Sequence, residues 1–239
     1  MEEAAELTEE IVITDEASIN ARRLNALTIT GIALPFLLYT FLCPIFLSAD
    51  QPYALRFFYS RLIIWAILVI VWLYAYYGEV QRFFLWPAQE YKAGFYIKWI
   101  ALLYLLGMAA GLIAKVPDWF GLHEDNHVVI KMAAMQQQYP MLLVFAALTA
   151  GVTEEYIFRG YILSRMALYI KNANLQVWLS ALLFGFAHIG YKSLREFIFA
   201  TLIGVIYGYH YQKYRNITVL VIVHCIVDLV AFAIFKVHR

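Results

Sequence analysis

The amino-acid sequence predicts an all-α, polytopic transmembrane helical bundle of about seven to eight spans, and three observations carry that expectation. First, the chain is 63% hydrophobic and 15% charged, whereas a soluble domain is about 45–50% apolar and about 25% charged. Second, its mean hydropathy is +0.68 over 239 residues, more apolar surface than one soluble core of that size could hide. Third, the apolar residues fall in runs near the ~20 that a helix needs to cross ~30 Å of hydrocarbon. Lys and Arg number 18 against 17 Asp and Glu, a formal charge of +1, so no nucleic-acid partner is expected. Cys43 and Cys225 both lie inside apolar runs, which argues against a disulfide framework or a cysteine metal knuckle.

Taken in order, residues 1–24 are acidic (Glu2, Glu3, Glu6, Glu9, Glu10, Asp15, Glu16) and end in Arg22-Arg23. A secretory leader opens with basic residues and an apolar core, so this segment reads as a solvated tail, with a short surface helix starting near Thr14 or Asp15. The expected spans are Ala26–Leu47, with Pro35 and Pro44 expected to kink or end it, then Phe57–Tyr77, Phe95–Ala114, Pro140–Met166, Leu175–Ile189, Phe197–Tyr211 and Ile217–Phe235. An eighth, partial helix is expected between Pro117 and Gln138, where His123, Glu124, Asp125 and Gln136 to Gln138 argue against a full crossing. Tyr53, Trp86, Trp99, Trp119, Tyr139, Tyr191, Tyr209 and Tyr214 crowd the span ends, as interfacial belts do. Basic residues divide almost evenly between the two sides, so orientation rests on Arg22-Arg23 beside the first span, which favours a cytoplasmic amino terminus. The expected organisation is a tail (1–24), supporting or gating helices (25–130) and a functional core (131–239).

That core carries charges where lipid disfavours them. The fourth span reads LTAGVTEEYIFRGYIL, placing Glu154, Glu155 and Arg159 inside an apolar helix. Each such residue costs about 2.5–3.5 kcal/mol at mid-bilayer on insertion scales, and such groups normally face a bundle interior or a wet cavity. His188 ends FGFAH on the fifth span, and His224 and Asp228 lie four apart in HCIVD on the seventh, on one helix face. Measured from expected interfaces near Ala167, Leu175 and Asn216, Glu154, His188, Asp228 and His224 lie at depths of about 20, 20, 18 and 12 Å. A carboxylate and an imidazole sharing a water form a general-base arrangement, and a second imidazole beside a polar group can stabilise an oxyanion. Serine or cysteine nucleophile chemistry is disfavoured: there is no GxSxG, and Cys225 points about 100° away from His224 on its helix.

EEYIFRG, FGFAH and HCIVD, in this order on apolar helices, resemble the EExxxR, FxxxH and HxxxN/B motifs of the CAAX prenyl protease and bacteriocin-processing (Abi) family of intramembrane endopeptidases, over roughly residues 140–235. The resemblance implies that Glu154 is the general base, that His188 positions the water, and that His224 stabilises the oxyanion with Asp228 as the last motif's polar residue. Glu155 and Arg159 would support the site as an ion pair, and Phe184 would pack against His188. The departure is Asp228, where CAAX-cleaving members commonly carry Asn; a carboxylate donates no hydrogen bond unless protonated. Asp228 is therefore expected to be kept neutral, to orient His224 or His188, or to favour a metal.

The favoured reading needs no cofactor; zinc held by His188, His224, Glu154 and Asp228 is the alternative. From another class, the same groups would serve as a proton relay in a transporter, against which stands the lack of an inverted repeat. The plainer readings are an intrahelical ion pair for Glu155–Arg159 and helix–helix hydrogen bonds for the histidines. His123, His127, His210 and His238 read as solvated, and Gly204 and Gly208 as a close helix contact. Expected partners are membrane lipid and a hydrophobic or lipidated protein or peptide substrate, in a cell inner membrane or endoplasmic-reticulum-type membrane.

Overall fold

The computed structural model describes residues 2–122 and 127–234, with side chains for 23–122, 130–132 and 134–234. The described residues form α1 (Glu2–Phe46), α2 (Tyr53–Leu73, ending in a π-helical turn Tyr74–Gly78), α3 (Ala93–Ile113), the short α4 (Val116–Trp119) and α5 (His127–Gln138). Then come α6 (Pro140–Glu155), which widens into a π-helical segment Tyr156–Leu163 and continues as α7 (Ser164–Tyr169), and α8 (Ala173–Ala187) with a 3₁₀ turn Ile189–Tyr191. The last two are α9 (Leu194–Tyr214) and α10 (Ile217–Ile234).

Among the described residues six helical stretches are long and apolar enough to cross a bilayer: Arg23–Phe46, Tyr53–Gly78, Ala93–Trp119, Pro140–Tyr169, Ala173–Tyr191 and Ile217–Ile234. The remaining expected span, Phe197–Tyr211, lies within the 21-residue helix α9, which is not among these six; Arg195, Glu196, His210, Gln212 and Lys213 lower its hydropathy. Large apolar side chains such as Phe41, Ile45, Leu105, Leu112 and Met141 face outward, as they do where lipid is the solvent. The architecture is that of a multi-pass integral membrane protein.

The first 138 residues differ from expectation in part. The backbone from Glu2 is one helix continuous with the first span, not a short helix starting at Thr14. Pro35 lies inside that helix and does not end it; the helix stops two residues after Pro44. Proline is tolerated in spans because neighbouring helices satisfy the freed backbone groups. The partial helix between 117 and 138 resolves into α4 and α5. His123 and His238, and the side chain of His127, lie outside the described residues.

Lipid gives helices no hydrophobic reason to associate, so close approach at small residues matters more. A Cβ on Gly204 would stand 2.8 Å from Ala181 Cα, and one on Gly208 would stand 2.9 Å from Val177 Cγ1; α8 therefore lies directly on the Gly204–Gly208 face of α9. Gly151 plays the same part between α6 and α10, where a Cβ would strike Cys225 Sγ. The Cys225 thiol is thus spent on packing. The starts of the histidine-bearing helices are pinned: Asn172 accepts from the amides of Asn174 and Leu175, and Asn216 from the amide of Val219, so α8 and α10 begin at fixed positions.

A second buried charge cluster had no motif to announce it. Arg165 donates through Nη2 (2.7 Å) and Nε (3.1 Å) to Glu79 Oε2, while Tyr161 donates to Glu79 Oε1 at 2.9 Å. Arg165 also donates to the carbonyls of Arg82 and Phe83. Arg165 is buried and ties α7 to the chain that leaves α2. His210 also departs from expectation, being buried among the rings of Phe95, Trp99 and Tyr214.

Candidate active site

The fourth span presents its charges where its helix widens. Glu154 and Glu155 close the last regular turns of α6, and Arg159 lies within the π-helical segment that follows; such widened turns occur frequently at functional sites. The two glutamates point to different environments. Glu155 is fully buried and its Oε1 accepts from Arg159 Nη1 at 2.9 Å and from His224 Nδ1 at 2.7 Å. The Arg159 guanidinium lies 4.4 Å from the Phe184 ring centre and 5.5 Å from that of Tyr207, so two aromatic faces and one carboxylate compensate its charge. The expected Glu155–Arg159 pair is present, and it has a further member: Glu155 fixes the ring of His224.

Glu154 keeps 17% of its side chain exposed and makes no hydrogen bond through Oε2 among the described residues. That oxygen lies 3.9 Å from His188 Nε2 and 3.9 Å from His224 Nε2, and His224 Nε2 is 3.9 Å from Asp228 Oδ2. The structure therefore gathers Glu154, Glu155, Arg159, Phe184, His188, His224 and Asp228 from α6, the π-helical segment, α8 and α10 into one cluster. His188 caps α8, its Nδ1 donating to the Phe184 carbonyl at 2.8 Å, with Phe184 edge-on to its ring at 4.7 Å. A ring that donates through Nδ1 leaves Nε2 as acceptor when neutral. His224 is held the same way by Glu155, so both rings turn Nε2 towards Glu154.

A cavity of about 660 Å³ reaches this cluster, with Glu154 and His188 on its wall beside Phe158, Tyr191, Tyr39 and Phe36. His224 and Asp228 are not part of that wall, so the four groups expected in one wet pocket divide into two that face the cavity and two behind them. Tyr207 is buried with its ring 6.2 Å from that of His224. The wall residues from the first 130 positions, Arg56 and Arg61 among them, belong to no motif; the one available signal was two arginines five apart at the start of an apolar run.

The fit to zinc can be tested on the donor spacing. Tetrahedral zinc with bonds of about 2.0–2.1 Å holds its donors about 3.3–3.4 Å apart. Here the Nε2-to-carboxylate separations are 3.9 Å, and the described residues contain no group of three His, Cys, Asp or Glu placed to hold a metal ion. As arranged, these side chains lie too far apart to fit the ion.

Residues 136–230 match the family model described as Rce1-like, type II CAAX prenyl endopeptidase Rce1-like. No curated protein and no solved structure shows significant similarity to the chain. The matched segment runs from the end of α5 into α10 and contains every residue of the cluster. Over that segment, 95 of the chain's 239 residues, the chain is similar to the CAAX-protease family of intramembrane endopeptidases.

Proposed function

We propose that the protein hydrolyses a peptide bond of a hydrophobic or lipidated substrate with a water activated by Glu154, without a metal. The observation that carries this reading is Glu154, a residue of the cavity wall whose Oε2 is buried without a hydrogen-bond partner among the described residues and lies 3.9 Å from His188 Nε2. One water at about 2.8 Å from each of two acceptors 3.9 Å apart subtends about 88° between them, close to its own bond angle. Its two hydrogens would then point at Glu154 and His188, leaving a lone pair for the substrate carbonyl carbon. Glu154 takes one proton as the oxygen attacks and returns it to the leaving amine.

The tetrahedral oxyanion needs donors. With Nδ1–H given to Glu155, His224 offers Nε2–H only as the imidazolium, whose charge Glu155 and Asp228 flank at 2.7 and 3.9 Å. Arg159 in turn holds Glu155. The chain Arg159–Glu155–His224 thus aims one donor at the reaction centre in a site poor in water, where such a donor counts for most. Asp228 acts in this reading as a neighbour of His224, which gives the departure from Asn a role that needs no proton on Asp228.

Replacing Glu154 or His188 by Ala is expected to abolish cleavage of a lipidated peptide in detergent or nanodiscs while the protein still inserts and unfolds at the wild-type temperature. Wild-type rates in either variant would end the proposal. Cleavage is also expected to survive exhaustive chelation, with no stoichiometric zinc in the purified protein; loss on chelation with recovery on adding zinc would replace this reading by the zinc one.

A further inference from the structure

The cavity that reaches Glu154 is acid-poor and cation-rich. Glu154 is the one acidic side chain described on its wall, which also carries Arg56, Arg61 and Lys131. These cations come from α2 and α5, outside the family-matched segment. The Arg61 guanidinium sits 4.8 Å from the Phe57 ring centre and its Nε donates to Ser60 Oγ at 3.3 Å. Arg56 and Lys131 approach the Tyr53 ring, at 6.0 and 5.2 Å. Among the described residues none of the three has a carboxylate within ion-pair distance. Asp50, in the loop before α2, is exposed and accepts from Ser48. Three cations gathered on one hollow repel one another unless an anion joins them.

Their distance from Glu154 follows from helix register. Phe58 packs on Phe145 with ring centres 5.7 Å apart, and Trp65 donates to Thr149 Oγ1 at 3.0 Å. So α2 and α6 run in the same direction, and Arg61 lies level with residues between Phe145 and Thr149. Glu154 is then about 8–13 Å further along α6 at 1.5 Å per residue. An extended peptide covers that interval with a few residues.

We propose that Arg61, supported by Arg56 and Lys131, is the specificity-determining site that binds the terminal carboxylate of a peptide substrate whose scissile bond lies at Glu154. This rests on the hydrolytic reading of Glu154 and His188. A carboxylate is favoured over a lipid headgroup because the cations line the same hollow as the groups that would break the bond. Arg61 is the anchor because its planar fork allows bidentate pairing, while Arg56 and Lys131 add field further out.

The test uses the full chain in phosphatidylcholine nanodiscs and an S-farnesylated, fluorescent apolar hexapeptide, made as the free acid and as the carboxyl-terminal amide. Binding is measured on the Glu154→Gln protein, so it does not depend on turnover, and cleavage on wild type. The acid is expected to bind about 10–100-fold more tightly than the amide, the range for hydrogen bonds to charged groups. Adding Arg61→Gln should bring that ratio close to one, and Arg61→Lys should restore part of it. Equal binding of acid and amide, no binding of the acid, or a ratio indifferent to Arg61→Gln would overturn the proposal. So would loss of the ratio in phosphatidylglycerol nanodiscs, which would assign the cations to a headgroup phosphate. A carboxylate-dependent ratio without cleavage by wild type would leave this site standing and refute the hydrolytic reading instead.

Discussion

Glu154 and Glu155 are adjacent in the chain and opposite in environment, so one conservative change at each should separate chemistry from stability. Glu155 has no exposed side-chain surface and accepts two hydrogen bonds from charged or chargeable donors, at 2.9 and 2.7 Å. Glu155→Gln removes the charge opposite Arg159, which is itself buried. Breaking a buried pair from one side costs about 3–5 kcal/mol, and the loosened His224 should lower turnover as well. Glu154 makes no hydrogen bond through its buried Oε2 and its nearest histidine nitrogens are 3.9 Å away, so the isosteric Glu154→Gln should shift stability by about 1 kcal/mol or less. Its cleavage rate should fall by at least the ~10²–10⁴ typical of a lost general base. The assay pairs thermal unfolding in micelles with cleavage of a quenched peptide. The reasoning is refuted if the two variants lose stability equally, or if Glu154→Gln cleaves within tenfold of wild type.

Further outcomes follow from the same geometry. Gly151→Val should push α10 away from α6, because its Cβ meets Cys225 Sγ and stands 3.1 Å from both the Cys225 amide and the Val221 carbonyl; overpacking of about 1–3 kcal/mol and loss of cleavage are expected. Gly111→Ala, whose Cβ would meet only Phe199 at 3.8 Å, should leave both unchanged or raise stability slightly. Arg165→Ala strands Glu79 in the interior and should cost about 3–5 kcal/mol in detergent unfolding, although Arg165 lies outside the cavity wall. Asp228→Asn should retain cleavage within about tenfold, since Asp228 stands 3.9 Å from His224 and bonds to neither histidine; an inactive enzyme would show that its charge is required.

The membrane class, the helical spans and the identity of the polar cluster were legible in the chain itself. Apolar length is a local property, and an ionisable group within an apolar run is conspicuous wherever it folds. The Gly204–Gly208 spacing was legible for the same reason, because a small-residue stripe on one helix face implies a close neighbour. What the chain could not reveal depends on which helices touch. The burial of Arg165 had no local signal, because its partner Glu79 is 86 residues away. His210 read as solvated because the rings that bury it come partly from α3. The division of labour between Glu154 and Glu155 is likewise tertiary: consecutive residues on a helix point about 100° apart, and only the placement of α8 and α10 decided which faces the cavity and which holds His224. Composition and spacing determined that polar groups had to be sheltered within the bilayer; helix packing decided which of them meet.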